Sequence, residues 1–162
     1  MEKLSMRIGS VVSALTGVLL AVGVSACGDS ITGPVAPEDV TFNPALGIDL
    51  AEFSRLPSGV YIRTVVEGSG DASEQGNQVT VNYELRLPDN TLVDASPPSI
   101  SWVLGGGGVI LGFDLGVTGM RVGEQRRIII PSSLGYGPGG SQGGAVPGNS
   151  VLIFDITMLA LG

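Results

Sequence analysis

From Val79 to Leu87 the chain alternates without a break. Val79, Val81, Tyr83, Leu85 and Leu87 are apolar, and Thr80, Asn82, Glu84 and Arg86 between them are polar. A period of two is the period of a β-strand, whose successive side chains point to opposite faces. One face of this segment is therefore buried and the other wet. Pro88-Asp89-Asn90 turns the chain, and Thr91 to Asp94 brings it back. Gly59 to Val66, Ile100 to Leu104, Gln125 to Ile130 and Ser150 to Leu159 carry the same strand chemistry of β-branched and aromatic residues. Pro131 ends the Gln125 to Ile130 run, and Ser132 to Gly148 is a long Gly-rich loop. Val109 to Val117 fits one short buried helix, whose two glycines weaken helix propensity but let a sheet pack close. Five strands with one late helix give an α+β architecture, an antiparallel sheet wrapped around that helix. A domain of about 100 residues buries enough surface to fold without covalent staples.

Composition removes several function classes. The formal net charge is -7, so a nucleic-acid partner is not expected. The one dense basic spot, Arg126-Arg127, sits on a strand where neighbours face opposite ways, and reads as two solvated residues. There is no His, which removes His-based triads and imidazole acid/base chemistry. The single Cys, Cys27, excludes an intrachain disulfide, and with no Cys/His cluster no structural metal site is expected. Gly105 to Gly108 invites a phosphate-loop reading, but no Lys-Ser/Thr follows and Ile110 stands where the third glycine would be. No cofactor is expected. There is no internal repeat and no long helix for dimerisation, so a monomer is expected.

The first 26 residues read as an address. Lys3 and Arg7 open it, Ile8 to Ala26 is uncharged and apolar, and small residues precede Cys27. Val24-Ser25-Ala26-Cys27 resembles a bacterial lipobox. That resemblance implies cleavage before Cys27, lipidation of its thiol and a membrane anchor in the bacterial cell envelope, facing the periplasm or exterior. Two other readings stand beside it: an uncleaved membrane-spanning anchor, and ordinary signal cleavage without lipid. Residues 27–56 read as a tether, with Pro34, Pro37 and Pro44 and one possible helical turn over Ile48 to Phe53. Residues 57–162 read as the folded domain.

Within that domain six motifs follow one another in order. They are Val79-Thr80-Val81-Asn82-Tyr83, Leu92-Val93-Asp94-Ala95-Ser96 and Gly108-Val109-Ile110-Leu111-Gly112-Phe113. Then come Gly119 to Glu124, Ile130-Pro131 with Leu134-Gly135-Tyr136-Gly137, and Val146-Pro147 with Leu152 to Asp155. Together they resemble the FKBP-type peptidyl-prolyl cis-trans isomerases over almost the whole domain. The resemblance implies an apolar pocket over the helix that holds a prolyl ring of a proline-containing polypeptide. Its lining would be Tyr83, Val93, Trp102, Val109, Phe113, Val146 and Phe154. The resemblance further implies that the backbone N–H of Ile110 and the hydroxyl of Tyr136 bond substrate carbonyl oxygens. It places the carboxylate of Asp94 at the pocket edge, interacting with Tyr83. Two positions depart from the family pattern: Val93, where Phe is usual, and Phe113, where Trp is frequent.

The implied reaction suits this residue set. Rotation about a peptide bond faces a barrier of about 18–20 kcal/mol because resonance makes the C–N bond partly double. The planar amide is more polar than the twisted one, so an apolar cleft disfavours the ground state, and hydrogen bonds fitting only the twisted form add selectivity. No nucleophile is needed. A catalytically weak chaperone or peptide-binding module using the same pocket is the alternative.

Overall fold

The computed structural model describes residues 33–96 and 98–162. The basic start, the apolar run and Cys27 lie outside the described residues. Seven strands and one α-helix follow in chain order: β1 (Ser54–Arg55), β2 (Tyr61–Val66), β3 (Gln78–Arg86), β4 (Leu92–Ala95), β5 (Ile100–Val103), α1 (Leu111–Val117), β6 (Gln125–Ile130) and β7 (Leu152–Leu161). They form one sheet in the order β1-β2-β6-β7-β3-β4, with β5 also on β3, and every pairing is antiparallel. The expectation of an antiparallel sheet around one short helix holds, while the strands among the described residues number seven rather than five. β4 and β5 run one after the other along the same edge of β3, pairing Leu85 with Asp94 and Val81 with Ile100. β1 comes from the segment before the expected domain.

The alternation in β3 works as its period demands. Val79 and Val81 are fully buried and Leu85 nearly so, facing the helix side together with Trp102, Ile128, Ile130, Phe154 and Ile156. Helix α1 lies across this face on β6. Its contact residues are Gly112 and Gly116, four apart and hence on one side of the helix. A Cβ at Gly112 would sit 2.2 Å from Ile130 Cγ2 and 3.1 Å from the Leu134 carbonyl oxygen. One at Gly116 would sit 2.6 Å from Ile128 Cδ1. The two glycines therefore set the helix-to-sheet distance.

Arg126 holds the other end of that helix. It is buried rather than solvated, a correction to the expectation for the Arg126-Arg127 pair. Its guanidinium donates to the carbonyls of Gly116 at 3.0 Å and Thr118 at 3.1 Å, and pairs with Glu124 at 2.7 Å. A cation at a helix C-terminus meets the carbonyls that have no partner within the helix. Glu124 in turn accepts from the Arg121 amide and the Thr64 hydroxyl, so this buried ion pair is fully hydrogen-bonded. Arg127 points the other way and forms a two-pronged pair with Asp155.

The segment expected to be a tether is packed from Val35 onward. Val35, Leu46 and Phe53 bury themselves against Tyr61, Ile129, Val151 and Ile153 on the sheet face opposite the helix. Backbone bonds fasten it along its length. Val35 N–H donates to Ser132 Oγ at 2.7 Å while Ser132 N–H donates to the Val35 carbonyl at 3.0 Å. Asn43 N–H reaches the Pro88 carbonyl at 2.7 Å, and Arg127 reaches the Leu46 carbonyl at 2.6 Å. The expected helical turn is present as a 3₁₀ turn over Leu50–Glu52, capped by Asp49. Packing thus begins well before Pro57, and it covers the part of the opposite sheet face around Tyr61, Ile129 and Ile153.

Replacing Gly112 by Ala will destabilise the fold. Overpacking against the stiff Ile130 costs about 1–3 kcal/mol, against which the better helix propensity of Ala returns about 1 kcal/mol. Urea unfolding of Gly112→Ala should show a lower midpoint than wild type, and a larger loss than Gly116→Ala, which meets the movable end of Ile128. An unchanged midpoint for Gly112→Ala would mean that the helix does not need this close approach.

Candidate active-site cleft

Beside the N-terminal end of α1 lies a cleft of about 180 Å³. Three aromatic rings shape its base. Phe113 comes from the first turn of α1 and Phe154 from β7, with ring centroids 4.8 Å apart. Tyr83 from β3 meets Phe113 edge-on at 5.9 Å and Phe154 at 5.8 Å. Such tilted and edge contacts suit the ring quadrupoles and leave little freedom to any one ring. Val109 and Ile110, leading into the helix, close one wall; Ile100 of β5 and Gly108 complete it, and Tyr136 stands at the mouth.

The polar groups are few. Tyr83 Oη donates to Asp94 Oδ2 at 2.5 Å, and Asp94 Oδ1 accepts from the Ala95 amide at 2.8 Å. The Tyr83 phenol is pushed up to about 12, first by burial and then by its bond to the Asp94 carboxylate. Burial and the Asp94 charge also push the Tyr136 phenol up. Both phenols are therefore neutral donors through the physiological range. Tyr83 has spent its proton on Asp94. Among the described residues, nothing accepts from the Tyr136 hydroxyl, which is 39% exposed. The same holds for the backbone N–H of Ile110, which caps α1 in extended conformation at φ -63 and ψ 143. Its carbonyl is engaged, accepting from the Phe113 and Asp114 amides. The cleft thus offers two unengaged neutral donors over an aromatic floor.

Six of the residues expected to form the site meet in the cleft: Tyr83, Val109, Ile110, Phe113, Tyr136 and Phe154. Asp94 joins them at the edge through Tyr83. Three expected lining residues lie elsewhere. Trp102 is buried behind Phe113, ring centroids 5.3 Å apart, because β5 aims it at the core rather than at the opening. Val146 is 2% exposed within the core cluster, and Val93 packs partly buried against that cluster. Ile100 and Gly108 were missed. Ile100 was findable, since it lies two residues before Trp102 on the same strand face; Gly108 lines the cleft with backbone alone and leaves no side-chain signal.

A larger groove of about 380 Å³ crosses the opposite face of the sheet near Arg63, Asn82, Glu84, Arg127 and Asp155. Its charges are mostly paired with one another: Arg127 with Asp155, Glu84 with Arg86 and Arg63 with Glu52. It is a solvated sheet face rather than a reaction site.

The family profile described as FKBP-type peptidyl-prolyl cis-trans isomerase matches residues 70–159. FK506-binding protein 4 of Emericella nidulans is 43% identical over 105 residues, covering 64% of this chain and 22% of that protein. Peptidyl-prolyl cis-trans isomerase FKBP9 of Homo sapiens is 45% identical over 92 residues, covering 55% of this chain and 16% of its own length. The chain therefore spans well under a third of these curated relatives. Among solved structures, that of AtFKBP13 superposes with a TM-score of 0.63 at 31% identity, covering 68% of this chain and 99% of its own. FkpA from Escherichia coli gives 0.63 at 28% identity, covering 73% and 55%.

The raised Tyr83 value carries a sign. A phenol held above its ordinary value of 10.0 contributes stability that is complete below that value and is lost as pH rises through about 12. In an NMR-monitored titration Tyr83 should stay protonated past its ordinary value, and Asp94→Asn should bring its midpoint down. A Tyr83 midpoint indifferent to Asp94→Asn would break the proposed link between the two residues.

Proposed function

The chain belongs to the FKBP-type peptidyl-prolyl cis-trans isomerase family, and on that premise we propose that it accelerates rotation about X-Pro bonds in proline-containing polypeptides, acting as a monomer. The observation that carries this reading is the pair of unengaged donors, Tyr136 Oη and Ile110 N–H, at an aromatic-floored cleft. The prolyl ring packs on Phe113, Phe154 and Tyr83. Taking the planar amide out of water disfavours its charge-separated resonance form. The two donors hold the flanking carbonyl oxygens, and bind best when the amide between them is twisted. Asp94 keeps the Tyr83 hydroxyl turned to the edge, so the floor itself presents only ring surface. No bond is made or broken, so the chain supplies shape and hydrogen bonds alone.

The same proposal extends to location. The lipobox resemblance of Val24-Ser25-Ala26-Cys27, after a basic start and an uncharged run, supports a lipoprotein signal peptide and an anchor at Cys27 in a bacterial cell envelope. The first packed residue among those described, Val35, lies eight positions after Cys27, and eight residues reach at most about 28 Å. The cleft would then work on polypeptides close to the membrane surface.

Two measurements test these readings. In a protease-coupled assay with a short prolyl peptide, the purified protein should accelerate isomerisation. Tyr136→Phe should lower kcat/KM by about five- to tenfold, the worth of one neutral hydrogen bond, and Asp94→Ala should lower it as well by releasing the Tyr83 hydroxyl. No acceleration by wild type would remove the enzyme reading; peptide binding without acceleration would instead favour the binding-module reading. For the anchor, Cys27→Ser should leave the membrane fraction, and a processed Cys27→Ser protein that still partitions with membranes would refute the lipid.

A further inference from the structure

Asp114 is a buried carboxylate, 8% exposed, with no Lys or Arg in an ion pair among the described residues. A charge in such a place is costly unless donors surround it. Two do: Trp102 Nε1 donates to Oδ1 at 2.9 Å and the Gly105 amide donates to Oδ2 at 2.7 Å. Simple core packing at this position would call for an apolar side chain. What distinguishes the two donors is where their segments lead. The Trp102 ring lies against Phe113, which floors the cleft. Gly105, at φ +79, opens the turn that ends at Val109 and Ile110, which form the cleft wall. Asp114 is itself the residue after Phe113 on α1.

We infer that Asp114 is a positioning residue for the reaction, holding Trp102 behind the cleft floor with one oxygen and the 105–110 segment with the other. The inference rests on the isomerase reading of the cleft. The first bond fixes the tilt of the Phe113 ring against which the prolyl ring packs. The second fixes the height of the Ile110 N–H above that floor. The residue touches no substrate; it acts through the groups on either side of it. Because the floor binds ground and twisted states alike while the N–H favours the twisted one, the two bonds affect different kinetic constants.

Two substitutions separate them. Asp114→Asn keeps the shape but turns one acceptor oxygen into a donor, so one of the two N–H groups loses its partner. Trp102→Phe keeps an aromatic ring behind Phe113 but removes the indole N–H together with part of the bicyclic ring. In the prolyl-peptide assay, with folding confirmed by circular dichroism, Asp114→Asn should lower kcat about tenfold where the Gly105 amide is the group left unpartnered, or raise KM about threefold where the Trp102 indole is. Trp102→Phe should raise KM about threefold with kcat nearly unchanged. A folded Asp114→Asn protein with both constants within about twofold of wild type, however far its melting temperature falls, would overturn the inference. If Asp114→Asn does not fold, Trp102→Phe decides alone: a raised KM supports the inference and an unmoved KM overturns it. An inactive wild type would remove the isomerase reading and this inference with it, whereas an active wild type with unmoved variants removes this inference only.

Discussion

Helix α1 can lie on strand β6 because residues 112 and 116 carry no side chain. With Ile130 and Ile128 directly beneath, a single methyl at either position would fall inside van der Waals contact. This close approach brings Phe113 down between Tyr83 and Phe154, where the three rings touch. It also delivers Ile110, at the helix start, to the cleft wall. Arg126 secures the far end of the helix through the Gly116 and Thr118 carbonyls. The helix is only seven residues long, too short to be stable alone. Its order comes from what it packs on and from the groups that satisfy its ends.

The chemistry of the cleft follows from what that packing leaves out. No Lys, Arg, Asp or Glu occurs from Ala95 to Phe113 or from Ile128 to Phe154, the two stretches that supply most of the wall. Asp94 sits just outside the first and engages Tyr83. A hundred-thousandfold acceleration asks for about 7 kcal/mol of selective stabilisation. One neutral hydrogen bond in contact with water supplies only about 1 kcal/mol. Two donors alone fall short, so on the proposed isomerase reading most of such an effect would come from placing the amide in a rigid, uncharged site where each bond counts for more. Rigidity of the floor is then as much a part of the function as the donors are.

The parts of this design that obey a short-range period were legible in the chain. The alternation of β3, the Pro131 stop and the helix with its two glycines all appear where local chemistry puts them. The cleft's aromatic base and both donor positions were legible through the family resemblance. What escaped depends on the third dimension. Val35, Leu46 and Phe53 have no common spacing, so nothing in the sequence says that they share a face, and their segment reads as a tether. Arg126 reads as solvated because no local signal reveals a helix C-terminus waiting across the sheet. Trp102 and Ile100 lie on the same strand face, yet only the course of β5 decides which of them reaches the opening.

The proposed isomerase cleft has to bind the prolyl ring and twist the bond before it. Exchange NMR on a short prolyl peptide, with catalytic amounts of the full protein added, observes that step directly and without a coupling protease. Cis–trans exchange signals should appear on adding wild type and weaken markedly with Tyr136→Phe. Peptide resonances that shift on binding while cis and trans remain in slow, uncatalysed exchange would contradict the isomerase reading.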